Sequence, residues 1–174
     1  RTSVPMKSDR TVSSLKRITT EYIELEDRVR LAGLTDNNQT VSIWLTMRLL
    51  RRLISPCLSL LKKNTSELKK VVTQNNLPAK GMQNFVQQST DQQLVQETAV
   101  KVTENSPNHH ATEIDISNDH AGVMLSFKDE FGSDYSIYLN NGQLRQWLGT
   151  LQIIWQKAEW PTEIWPDWMV LDIS

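Results

Sequence analysis

Apolar and polar positions alternate along residues 20–31. Ile23, Leu25, Val29 and Leu31 share one parity, and Glu24, Glu26, Arg28 and Arg30 share the other. A period of two marks a strand with one buried and one wet face. Asp27 falls on the apolar parity, so a tight turn near Glu26 and Asp27 divides the stretch into two strands. Residues 35–39 (Thr-Asp-Asn-Asn-Gln) form the next turn signal. Val41, Ile43 and Leu45 then resume the alternation. At Thr46, a fair N-cap, the period lengthens to that of a helix. Leu50, Leu53, Ile54, Cys57, Leu58 and Leu61 form its apolar stripe. Pro56 lacks an N–H and is expected to kink this helix or restart it after Ser55.

The same succession recurs downstream at a constant offset. Val29 and Leu31 match Val123 and Leu125, and Val41, Ile43 and Leu45 match Tyr135, Ile137 and Leu139. Leu50, Arg51 and Lys63 match Leu144, Arg145 and Lys157. Two periods agreeing in one register point to a duplicated unit. The second copy carries a turn at residues 117–122 and another at 129–134, where Gly132 can take positive φ. Its helix is capped by Asn140 or Asn141, and Leu144, Trp147, Leu148, Leu151 and Trp155 form the stripe. The expected fold is α+β: two pseudo-repeated β-β-β-α units, each an antiparallel sheet packed with its helix, joined by a helical Gln-rich linker. The boundaries are a basic, partly disordered arm over 1–19, a first unit over 20–72, and a linker over 73–111 with a helix at 82–100. A second unit follows over 112–158. A Trp- and Pro-rich tail over 159–174 packs on the core.

A strand-rich unit followed by a helix, then doubled, resembles the Whirly and PUR families in element order. That resemblance implies single-stranded nucleic-acid binding. The residues supply a physical case for it. Tyr22, Trp44 and Tyr138 on exposed sheet faces would be stacking platforms, each base worth about 1–3 kcal/mol. Arg28, Arg30 and the cluster Arg48, Arg51 and Arg52 would neutralise phosphates. Against this stands the second copy, where Gly142 replaces Arg48 and Gln146 replaces Arg52. Inter-sheet or dimer packing of the aromatics, with the arginines on a solvated helix face, is the favoured reading. Trp160 in the Pro-broken tail, if exposed, would be a further anchor for a protein partner, since Trp and Arg dominate binding hot spots; a tail docked on its own core is the favoured reading.

Charge sharpens this picture. The net charge of −1 hides a split. Residues 1–80 carry fifteen Lys/Arg against seven Asp/Glu, and residues 81–174 carry four against thirteen. Such halves attract one another within a chain or across a dimer. The 174-residue length suits one domain or two small halves. A lone cysteine, Cys57, excludes an internal disulfide and fits a reducing compartment, so a cytoplasmic location is expected. Cys57 lies on the apolar stripe as a core filler. No apolar run approaches the ~18 residues of a membrane span, and no secretory signal pattern is present.

Catalytic templates find no footing. The six glycines are scattered, no Gly-x-Ser-x-Gly occurs, and one cysteine cannot build a thiolate zinc site. The best metal-ligand set is His109, His110, Glu113 and Asp115 with Asp119 and His120, but a solvated loop is the better reading of it. No catalytic, cofactor or metal residue is therefore assigned. The expectation is a non-enzymatic binding or scaffold protein that self-associates as a dimer, with another protein as a second partner class and no membrane. The alternative is single-stranded nucleic-acid binding through Tyr22, Arg28, Arg30, Trp44, Arg48, Arg51, Arg52 and Tyr138.

Overall fold

The structure, a computed structural model, describes residues 11–71 and 98–169. Seven strands form one sheet: β1 (Thr11–Ile23), β2 (Arg28–Thr35), β3 (Thr40–Leu45), β4 (Asn108–His110), β5 (Glu113–Asn118), β6 (Gly122–Lys128) and β7 (Ser133–Asn140). Two α-helices accompany them, α1 (Met47–Val71) and α2 (Asn141–Lys157). Short 3₁₀ turns follow at Thr162–Ile164 and Asp167–Met169. Two compact units result. Among the described residues one comprises 11–49, 98–117 and 124–138, and the other 50–71, 118–123 and 139–169. No helix among the described residues is long and apolar enough to cross a membrane.

The expectation of two repeated β-β-β-α units with separate antiparallel sheets is overturned. The sheet is single and mixed, in the order β4-β3-β2-β1-β7-β6-β5. β1 joins the two groups of strands. Its first residues, Thr11–Ser14, run parallel to β7, and its remainder, from Leu15 to Ile23, runs antiparallel to β2. Residues 11–19, read from sequence as part of a basic arm, are thus the first part of the central strand. Val29/Val123, Leu31/Leu125 and Ile43/Ile137 are all buried, as their matching positions require. Other matched pairs part company: Val41 is buried while Tyr135 is half-buried, and Arg51 is exposed while Arg145 is buried. The shared period records shared burial, not a repeated architecture. The departure also removes the fold that the resemblance to Whirly and PUR proteins implied.

The sheet curls. Its two outermost strands, β4 and β5, are consecutive in the chain, separated by Ala111 and Thr112 alone. Seven flat strands would hold them ~29 Å apart, yet the three steps from His110 to Glu113 reach at most ~11 Å. Two adjacent amides mark the crossing. Ala111 N–H donates to Trp44 O on β3 at 3.0 Å, and Thr112 N–H donates to Lys128 O on β6 at 2.8 Å. One extended segment therefore serves both ends of the strand order.

Register assigns the faces. Tyr22, Val29 and Leu45 lie in one cross-strand row, and Thr20, Leu31, Ile43 and His109 in the next. Val29, Leu31, Ile43 and Leu45 are at most 1% exposed, so this is the buried face. Gly33 belongs to it, and a Cβ there would meet Leu15 Cδ2 at 2.9 Å, so any larger residue would have to displace the Leu15 side chain. The turns follow the sequence signals. Glu26 and Asp27 close the first hairpin, and Gly132 takes φ 94° in the last.

In the second unit α2 starts from a capping box: Asn140 accepts from Gln143 N–H, and the Gln143 side chain accepts from Asn140 N–H. Its stripe of Leu144, Trp147, Leu148, Leu151 and Trp155 is buried as expected, together with Arg145 and Gln152. Burial lowers Arg145 to about 10, which leaves it charged at neutral pH. The helix ends in a Schellman motif, with Glu159 N–H donating to Gln156 O, Trp160 N–H donating to Trp155 O and Glu159 at φ 59°. α1 begins at its Thr46 cap, where Leu49 N–H donates to Oγ1. It runs through Pro56 without the expected break. Pro56 is exposed, so the Arg52 carbonyl it leaves without an amide partner lies on the solvent side of the helix.

The Gln-rich linker falls mostly outside the described residues. Its last part is described: residues 98–100, expected to end a helix, are not helical. Cys57 is fully buried and its thiol is pushed up to about 12 by burial. Iodoacetamide at pH 8 should leave it unlabelled in the folded protein and label it in denaturant. Labelling of the native protein at the rate of a free thiol would contradict this packing.

Candidate binding surface

The other face of β1–β4 carries a row of unlike residues. Glu21 on β1 pairs with Arg30 on β2, Arg30 with Trp44 on β3, and Trp44 with His110 on β4. Directly opposed side chains on one face touch. Arg30 Nη2 donates to Glu21 Oε2 at 3.0 Å, and its guanidinium carbon lies 5.7 Å from the Trp44 ring centroid. The His110 ring lies nearly parallel to the indole, 14° between planes and 6.2 Å between centroids. Trp44 Nε1–H donates to Asn108 Oδ1 at 3.0 Å. The indole is thus oriented on three sides and remains half-buried, while Asn108 and His110 are exposed. Arg30 Nε is buried with no hydrogen-bond partner. Arg28 occupies the same face, two residues before Arg30 on β2.

The next row on this face, Thr19, Ala32, Ser42 and Asn108, is covered at its centre. Ala32 and Ser42 are buried. Residues 98–107 form a strap across it. Val100 N–H donates to Thr19 Oγ1 at 2.8 Å, Ser42 N–H donates to Pro107 O at 2.9 Å, and Ser106 Oγ lies 2.7 Å from Thr40 Oγ1. Val100 itself is 4% exposed. The strap takes the small-residue half of the face and leaves the Trp44 row open.

Tyr22 does not join Trp44. The four-residue turn at residues 24–27 pairs Tyr22 with Val29 and Ile23 with Arg28, so parity is exchanged between β1 and β2. The Tyr22 hydroxyl donates to Asp27 Oδ1 at 2.7 Å. Tyr138 is 41% exposed on β7. Arg48 is exposed in the first turn of α1, and Arg51 and Arg52 are exposed further along it. Trp160 is 7% exposed and packs edge-on against Trp155, which withdraws it as an exposed anchor. Of the nine residues expected in a binding surface, Arg30 and Trp44 are brought into contact across β2 and β3. The structure adds Glu21, Asn108 and His110. Glu21 enters through the register of β1 on β2, and Asn108 and His110 through that of β4 on β3, where a three-residue strand inside a polar loop carries too little pattern to announce it.

Comparison with protein-family models, curated proteins and solved structures found no match to this chain. Function must therefore be read from the site.

His109 and His110 lie in a short strand and not in a solvated loop. Successive strand residues face opposite ways, so His110 joins Trp44 while His109 turns to the buried face. There His109 Nδ1 lies 3.0 Å from Asp129 Oδ2, and Nε2 lies 3.1 Å from the Tyr135 hydroxyl. Asp129 Oδ1 accepts from Phe131 and Ser133 N–H. Burial raises the Asp129 carboxyl, but the His109 contact and those two amides outweigh it and hold it below the usual range. Burial, aided by Asp129, raises the Tyr135 phenol, so it stays a neutral donor. The imidazole thus bridges the Tyr135 hydroxyl and the Asp129 carboxylate through its two ring nitrogens. These two bonds tie the crossing segment to the β6–β7 hairpin. Asp115 holds Lys128, and Asp119 caps its own turn through Ala121 and Gly122 N–H. Among the described residues no group of three or more His, Cys, Asp or Glu could hold a metal ion.

Proposed function

We propose that this protein is a non-enzymatic binding protein that self-associates through the open face of β1–β4, with Trp44 at the centre of the contact. The observation that carries this reading is the ordered row Glu21–Arg30–Trp44–His110, whose indole is oriented by its neighbours and half-buried. Interfaces concentrate their energy in Trp and Arg, and a residue held in its bound rotamer loses little entropy on docking. The row also carries both signs of charge around an aromatic centre. Such a patch is self-complementary under a two-fold axis, where Glu21 of one copy can approach Arg28 or Arg30 of the other. The Arg30–Glu21 pair makes this face a poor phosphate ligand, because a phosphate would meet the Glu21 carboxylate. A cytoplasmic location fits the single, buried thiol and belongs to this proposal.

Sedimentation velocity over a wide concentration range tests the reading. The protein is expected to reach a dimer, with Trp44→Ala shifting it to monomer and His110→Ala weakening the dimer. Truncating one hot-spot Trp costs about 2 kcal/mol or more, a 30-fold or larger rise in Kd. A strict monomer, or a Trp44→Ala protein that dimerises as before, would refute it.

A further inference from the structure

A second set of exposed side chains lies on α1. Between Arg51 and Lys63, α1 holds four cations and no carboxylate. Arg51, Arg52, Ser55, Ser59, Lys62 and Lys63 are all exposed, while Leu53, Ile54, Cys57 and Leu61 are buried. At 100° per residue the six exposed positions fall within an arc of about 120°. Arg51 and Lys62 lie ~20° apart around the axis, as do Arg52 and Lys63, so the cations stand at the corners of a rectangle ~16 Å long. Ser55 and Ser59 lie between them. Short hydroxyl side chains there let a backbone approach the helix closely and can donate to it. No aromatic residue is exposed on this arc, so base stacking is not on offer.

We propose that this face of α1 docks the phosphate backbone of duplex nucleic acid, without reading sequence. Charge complementarity selects the occupant. A duplex presents one charge per ~1.7 Å of axis, enough to engage all four corners along 16 Å. Lys and Arg neutralise phosphates while hydroxyls donate to phosphate oxygens, the contacts that position a duplex but do not specify it. The proposal is independent of self-association through Trp44, and the two can fail separately.

The test uses the full chain and a labelled 20-base-pair duplex of arbitrary sequence, titrated by fluorescence anisotropy from 50 to 200 mM salt. Four phosphate contacts predict a log–log slope of about −3 to −4, at about −0.9 per contact. Arg51→Ala/Arg52→Ala should lessen the slope by about 2, and so should Lys62→Ala/Lys63→Ala. All four positions are exposed, and an unchanged circular dichroism spectrum and melting temperature will show the variants folded. Trp44→Ala should bind the duplex as the parent does. Absence of binding at 50 mM salt, affinity indifferent to salt, or unaltered binding by both double variants overturns the proposal. So does equal affinity for polyglutamate, which would assign the face to an acidic protein instead.

Discussion

Trp155→Ala is expected to remove about 3–5 kcal/mol of stability, a large share of the about 5–15 kcal/mol that holds a typical domain folded. Trp155 is fully buried near the end of α2. The chain turns back on it through the Schellman motif, bringing Trp160 and Trp165 edge-on to its ring at 4.8 and 5.7 Å between centroids. Its Nε1–H donates to Pro161 O at 2.8 Å, so the indole also anchors the tail's backbone. Alanine deletes the ring, two aromatic contacts and one hydrogen bond, and leaves a cavity in which Trp160 and Trp165 lose their shared partner. Trp155→Phe should cost less, because one apolar ring remains while the Pro161 bond is lost. Urea denaturation followed by circular dichroism measures both. A Trp155→Ala protein within 1 kcal/mol of the parent would mean that the tail does not depend on α2.

Asp129→Ala should be the next most damaging change, at about 2–4 kcal/mol. The carboxylate accepts from Phe131 N–H, Ser133 N–H and His109, and alanine leaves three donors with no acceptor in a site 4% exposed. Asp129→Asn keeps one acceptor oxygen and should fall between the two. The effect has a pH signature. The folded-state carboxyl titrates below its unfolded value, so its contribution is complete above about pH 4 and disappears as the pH falls through the folded value. In Asp129→Ala that component of acid sensitivity should be missing, so parent and variant stabilities should converge towards low pH. A constant gap between them from pH 7 to pH 2 would show that the carboxylate's charge contributes nothing.

Much of the local structure was legible because burial imposes a period. Val29, Leu31, Val41, Ile43 and Leu45 announced β2 and β3, and Leu144 to Trp155 announced α2, since each element hides one side. The way the elements join was not legible. β1 begins with polar residues, and Val12 is 62% exposed, so its pairing with β7 leaves no apolar alternation to read. The curl depends on Ala111 and Thr112 exchanging partners between β3 and β6, an event of two amides invisible in side-chain pattern. The same limit governed the site. Arg30 and Trp44 were suggested by parity within their strands. Tyr22 was misplaced by carrying parity across a four-residue turn, and His110 became visible only when β4 was set in register with β3.

The central claim is that the Trp44 row is where two copies meet, and site-directed cross-linking tests it most directly. His110→Cys places an exposed thiol at the end of the row, while the buried Cys57 stays inert. With a short bismaleimide at a concentration where the protein is dimeric, His110→Cys should give a covalent dimer in high yield. Asn37→Cys, exposed in the β2–β3 turn at the other end of β2 from Arg30, should remain monomeric under the same conditions. Monomeric His110→Cys, or equal cross-linking at both positions, would contradict the account.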